Sequence, residues 1–224
     1  MDIVGLIGLL PVILIKWTAL SSIIVKGIRR SIKKEPTYTD KQILDEIWKK
    51  PVGQMYIHAD LEYQLMEGYC APSTARNIIK SIGNFDLPEL VKGPQNITKI
   101  APTIDEYTNG KTSTKVVFGS EGYTQFMKHI RLANDVNYRI GINFLRSPLF
   151  GFDSPLPSHL IMGMFGGHFS IVIGYDQRRD LVAIFDVNHT YCTYLVDAKR
   201  LFSAVDTLDP LSNQSRGLIV TQIL

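Results

Sequence analysis

Cysteine is scarce in this chain: two among 224 residues, at positions 70 and 192, with no Cys-x-x-Cys spacing. Histidine is hardly more abundant, with five residues spread over positions 58, 129, 159, 168 and 189. Those two shortages exclude a disulfide-stapled scaffold and leave no structural zinc signature. An excess of either charge is missing too, since 24 Lys and Arg stand against 21 Asp and Glu for a net +3. No basic groove interleaved with aromatics is visible, so nucleic acid is not an expected partner. Internal repeats and low-complexity tracts are absent as well, which argues against a repeat architecture. There remains a chain of 45% apolar content, long enough for one sizeable core and an appendage.

The appendage is the N-terminus. Residues 3–25 are almost wholly apolar or small, broken only by Lys16, Thr18, Ser21 and Ser22. About 20 apolar residues suffice for a bilayer-crossing helix. Five cations come next at Lys26, Arg29, Arg30, Lys33 and Lys34, and none precedes the run. That charge order is the reverse of a secretory signal and keeps the C-terminal domain on the cytoplasmic side. Residues 1–34 are therefore expected to form an apolar helix and basic flank that hold the protein at a membrane. Two alternatives stay open: export after cleavage near Ala19-Leu20-Ser21, and an interfacial or core helix. Residues 35–44 read as a linker and 45–224 as the catalytic domain.

Within that domain Cys70 is the most telling residue. Pro72 lies two positions on, then apolar positions at Ala75, Ile78, Ile79 and Ile82, with a stop at Gly83. This pattern predicts a helix whose first turn holds the cysteine, after a strand-like run from Gln64. Free N–H groups at a helix start favour thiolate over thiol, and the thiolate is the nucleophile. The bland alternative is an inert buried thiol. Far downstream, Gly167 to Tyr175 and Leu181 to Asn188 are two β-branched and aromatic runs around a charged turn, which predicts a hairpin. With Asp176 to Asp180 as its loop, Tyr175 faces Leu181 and His168 faces Asn188. Asp186 then lies diagonal to His168 on the same face, within reach of the ring. A one-residue slip would part them. A cysteine served by a histidine that an acid orients is the general form of an activated thiol nucleophile.

Those residues also carry a resemblance. Gln64-x5-Cys70, Gly167-His168-Phe169-Ser170 with Gly174-Tyr175, Asp186-Val187, and Asp206-Thr207-Leu208-Asp209 with Arg216-Gly217 recur in order. Over residues 45–224 the chain resembles the phytochelatin synthase family, in its short prokaryotic-type form, within the papain-like cysteine peptidases. The resemblance implies an α+β fold in which a helical part carrying the nucleophile packs on an antiparallel sheet carrying His168 and Asp186. It implies Cys70 as nucleophile, His168 as general base and acid, Asp186 as its orienter and Gln64 as an oxyanion donor. Gly167, Ser170 and Arg216 are the implied substrate-binding residues, although an ion pair from Arg216 to Asp206 or Asp209 is an equal alternative. The implied activity is that of a glutathione γ-glutamylcysteinyltransferase or hydrolase. Its substrate is glutathione, it holds no tightly bound cofactor, and cadmium or zinc arrives as glutathione thiolates. No metal site on the protein is predicted.

The sequence differs from the family pattern in ways that bear on acceptor use. Ala71 stands where the family has glycine, and Asn188-His189-Thr190-Tyr191-Cys192 replaces a stretch with Arg, Lys, Tyr and a Pro-Pro pair. With no extended cysteine-rich region before Leu224, cleavage is expected to outrun polymerisation. Competing readings are a papain-like peptidase or amidase on another substrate, and a non-catalytic papain-like binding module. A homodimer is compatible with either.

Elsewhere, Thr39 or Asp40 is expected to cap a helix with an Ile43, Leu44, Ile47 and Trp48 stripe. Residues 85–115, rich in Pro, Asn, Thr and Lys, read as loops around the cleft. Gly119 to Asn134 reads as helix, Tyr138 to Phe144 and Gly217 to Ile223 as strands, and 145–158 as a long loop. His159, Met162 and Met164 are read as packing residues before a metal site, and the Asn-x-Ser/Thr triplets at Asn96, Asn188 and Asn213 as chance. A Cys70–Cys192 bridge is disfavoured by the catalytic reading of Cys70.

Overall fold

The computed structural model describes residues 39–150 and 166–224. The expected N-terminal apolar helix, residues 35–38 of the linker, and His159, Met162 and Met164 lie outside them. Among the described residues no helix is long and apolar enough to cross a membrane.

The fold is α+β, a six-stranded antiparallel sheet among the described residues with helices on both faces. Its strands are β1 (Thr112–Phe118), β2 (Tyr138–Leu145), β3 (Gly167–Asp176), β4 (Leu181–Phe185), β5 (Thr193–Asp197) and β8 (Gly217–Ile223). They run in the order β1-β8-β2-β3-β4-β5, and the short pair β6 (Leu208–Asp209) and β7 (Gln214–Ser215) stands apart. β3 and β2 lie in the middle and are buried along nearly their whole length, which their Ile, Val and Phe content requires. On one face Ile140, Ile142, Phe144, Val172, Ile184 and Tyr194 pack against α5 (Tyr123–Ile130) and α7 (Ala198–Val205). On the other, Phe169, Ile171 and Ile173 pack against α1 (Lys41–Trp48), α2 (Pro51–His58), α3 (Cys70–Lys80) and α4 (Ile97–Tyr107).

Asp40 caps α1, its carboxylate accepting the Ile43 N–H at 3.1 Å. Because α1 starts at Lys41 and buries Ile43, the folded unit reaches back into the stretch read as linker up to residue 44. The segment read as loops, 85–115, instead contains α4 and most of β1. Pro102 conceals α4 in the sequence. The helix forms because Asn96 caps it and because Ile97, Ile100, Ala101 and Ile104 make one buried stripe. β1 is polar because it is an edge strand whose Ser113 and Lys115 face solvent. The expected helix at 119–134 is interrupted at Gly122, whose φ of 94° only glycine adopts readily. The strand-like run before Cys70 is irregular, and α6 (Ser147–Phe150) is a helical turn within the expected loop.

The hairpin that sets the site differs at its turn and agrees at its business end. Asp176 pairs with Leu181 and Tyr175 with Val182, leaving 177–180 as the loop. Asp176 makes that turn by accepting the N–H groups of Arg178 and Arg179. A bulge between Val172 and Gly174 then shifts the register back by one, so Val172 faces Ile184 and Ile171 faces Phe185. Asn134 stabilises the bulged stretch, its side chain bonding both the N–H and the carbonyl of Tyr175. Beyond the bulge the register is the one in which His168 lines up with Asn188.

Candidate active site

α3 begins at Cys70, with no side-chain cap at Tyr69, so its first-turn N–H groups are left to other acceptors. The His168 ring and the N–H groups of Phe169 and Ala71 lie beside the Cys70 sulfur and favour its charged form. Burial pushes the thiol up, and His168 with the two N–H groups outweighs burial and holds it below the ordinary thiol value. Cys192 is a free thiol at the surface, so no bridge joins the two cysteines.

His168 and Asp186 are both buried, at 2% and 0% exposure, and His168 Nε2 lies 2.6 Å from Asp186 Oδ1. The ring nitrogen left for the sulfur is Nδ1. Phe144, the cross-strand partner of His168, packs on the imidazole edge to face at 5.5 Å. Burial alone would pull the imidazole down, but the Asp186 carboxylate and the Cys70 thiolate push it up to about 10. Asp186 Oδ1 also accepts the Asn188 N–H at 2.9 Å, and Oδ2 accepts the Tyr194 hydroxyl at 3.3 Å. A thiol held below its ordinary value and an imidazole held above its own face each other, with a buried carboxylate behind the ring. Such a set can attack a carbonyl and return a proton to a leaving group.

Gln64 is carried to the same place by a loop clamped at two points. Asn77 of α3 accepts the Glu62 N–H and donates to the Glu62 carbonyl, each at 2.8 Å. The Gln64 N–H bonds to the Val187 carbonyl at 2.7 Å. Its side chain is buried, with Oε1 bonded to none of the described residues. One residue past the second clamp, Asn188 donates to Glu67 at 3.1 Å, and Arg146 lies 3.4 Å from the same carboxylate.

Arg216 also belongs to this neighbourhood. Its guanidinium is buried, 3.2 Å from Asn143 Oδ1 and 3.9 Å from Asp209 Oδ1, so Asp209 is an acidic partner. Burial lowers its pKa to about 10, against opposing pulls from Asp209 and the Cys70 thiolate. Gly167 is glycine for a steric reason, because any Cβ there would overlap the Arg216 guanidinium. Ser170 is less available, with its hydroxyl donating to the Phe169 carbonyl. The sequence therefore brings Cys70, His168, Asp186, Gln64, Gly167 and Arg216 together and turns Ser170 into its own strand. Asn77, Asn143 and Tyr194 were not legible as site residues. Nothing local marks a buried asparagine or one tyrosine in an apolar strand, and only the strand register reveals Tyr194. Among the described residues no cluster of three or more His, Cys, Asp or Glu could hold a metal ion.

A model of the family described as Phytochelatin synthase matches residues 103–218, just over half of the chain and the part carrying His168, Asp186 and Arg216. Gln64 and Cys70 lie ahead of that stretch. No curated protein matches the chain. The extent of the family match, together with the motif order, means that this chain belongs to the phytochelatin synthase family, a family of enzymes that act on glutathione as γ-glutamylcysteine transpeptidases.

Proposed function

We propose that the chain cleaves the Cys–Gly peptide bond of glutathione, with Cys70 as the nucleophile of a papain-like site. The observation that carries this reading is the His168 ring held between the Cys70 sulfur and the buried Asp186 carboxylate. The Cys70 thiolate attacks the cysteinyl carbonyl, and the carbonyl electrons move onto oxygen. The Gln64 amide and the Cys70 N–H receive that oxyanion, each donor worth on the order of 3 kcal/mol in comparable sites. Collapse breaks the C–N bond, and His168 passes its proton to the departing glycine amine. The product is a γ-glutamylcysteinyl thioester on Cys70. His168, now neutral, then takes a proton from water to give the dipeptide, or from the amine of a second glutathione to give a phytochelatin.

The positive charge of Arg216, packed into the space that a side chain at Gly167 would fill, suits a glutathione carboxylate close to the sulfur. Ser170 contributes by holding the backbone beside the ring. Cadmium or zinc enters as a glutathione thiolate, as part of the acceptor. The proposed setting is a membrane face, with residues 3–25 as anchor and the catalytic unit, from α1 onward, on the cytoplasmic side.

Incubating the protein with glutathione, with and without cadmium, and following products by mass tests this. Glycine release with γ-glutamylcysteine is expected, and oligomers longer than glutathione should appear or increase with cadmium. Glycine without oligomers assigns a hydrolase. Absence of both overturns glutathione as the substrate in favour of another amide.

A further inference from the structure

We propose that Tyr194 is a positioning residue of this site, its hydroxyl fixing the rotation of the Asp186 carboxylate behind His168. The inference rests on the proposed Cys70–His168–Asp186 triad. Tyr194 pairs with Ile184 across β4 and β5, and residues two apart share a face, so Asp186 is its diagonal neighbour. The chain past β4 stays alongside β5 because the Asp186 N–H bonds to the Cys192 carbonyl at 2.9 Å. Oδ1 is already engaged by His168 Nε2 and the Asn188 N–H. The Tyr194 hydroxyl, at 3.3 Å, engages Oδ2.

The rest of Tyr194 is apolar packing. Its ring meets Phe150 edge to face at 5.3 Å and is buried in the core cluster of β2, β3 and α7. Phenylalanine would fill that volume equally well, so the hydroxyl is explained by the carboxylate rather than by the core. A donor on Oδ2 has two effects. The carboxylate cannot swing about its Cβ–Cγ bond without breaking the hydrogen bond, which keeps Oδ1 on the ring. The donor also draws charge from the acid, which keeps its grip on the imidazolium moderate, so that His168 can release a proton to the leaving amine. A bond longer than those on Oδ1 calls for a modest effect.

The test is Tyr194→Phe in the full chain, read by glycine release from glutathione across pH, beside Asp186→Asn and the double variant. Y194F is expected to lower kcat about 3- to 10-fold with KM nearly unchanged, the loss of one hydrogen bond to a charged group weakened by its length. It should also move the basic limb of kcat/KM up by about 0.5 pH unit, since the carboxylate loses a competing donor. The other ionisable groups facing the pair are Cys70, His168, Tyr63, Tyr191 and Arg146, and all are retained in the variant. In the D186N background, where no carboxylate remains to be held, most of that effect should vanish, with Y194F costing at most about 2-fold more. A basic limb that stays in place or moves down, or a Y194F loss that persists in full in D186N, overturns the positioning role and leaves the triad intact. D186N with the activity of the unaltered protein overturns the triad itself.

Discussion

Cys70→Ser is expected to abolish glycine release from glutathione, a loss of at least about 10⁴-fold, the scale on which removing a nucleophile collapses such a site. The size of the loss reflects protonation as well as chemistry. In the native site His168 and the N–H groups of Phe169 and Ala71 favour the thiolate and hold the sulfur below the ordinary thiol value. A serine hydroxyl does not ionise under those influences, so His168 would have to act as its base. The buried Asp186 carboxylate at 2.6 Å holds the ring protonated, which denies it that role. Serine is a good residue at a helix start, and the site lies at the first residue of α3, so the fold should persist with an unchanged melting temperature. Glycine measured by mass over many enzyme equivalents gives the answer. Sustained release by the variant would remove the nucleophile assignment.

The second large effect is expected at Asp186. Asp186→Asn is nearly isosteric, and its carbonyl can still accept from His168 and Asn188 while its amide faces the Tyr194 oxygen, which can accept. The substitution removes the negative charge that raises the buried imidazole to about 10. Without that charge burial prevails, the ring falls toward or below its ordinary value, and the thiolate loses its cationic partner. Activity at neutral pH should drop by about 10²- to 10⁴-fold. The sign of the pH effect is fixed as well. With aspartate, kcat/KM rises as Cys70 ionises and falls only as His168 deprotonates, near pH 10. With asparagine the basic limb moves to lower pH and the acid limb to higher pH, so the working window closes from both sides. A profile whose limbs stay put would show that Asp186 does not set the charge of the ring.

The α3 helix and its nucleophile were legible because Ala75, Ile78 and Ile79 repeat with helical period behind Pro72, and all three form its buried side. The His168 to Asp186 pairing was legible for a less direct reason. Assigning one residue too many to the turn was offset by one extra residue in the strand, the bulge before Gly174, and the bulge depends on Asn134, far back in the chain. Period-two alternation reports faces, and bulges are invisible to it. α4 was missed because Pro102 and its polar neighbours dominate the local composition, whereas burial of Ile97, Ile100 and Ile104 against α3 decides the matter. The Arg216 and Gly167 contact was legible only as two motif residues. Its physical content, a guanidinium occupying the volume of a missing Cβ, needs coordinates. Tyr194 and Asn77 share that limitation, since each acts through a partner distant in sequence or across a strand.

The most direct test of the site is the rate at which each cysteine is alkylated by iodoacetamide as pH is lowered to about 6, where an ordinary thiol is almost wholly protonated. Cys70 should label faster than the far more exposed Cys192, by a ratio that grows as pH falls, and D186N should erase the advantage. Labelling of Cys70 no faster than Cys192 at that pH would contradict a thiolate held by His168 and Asp186.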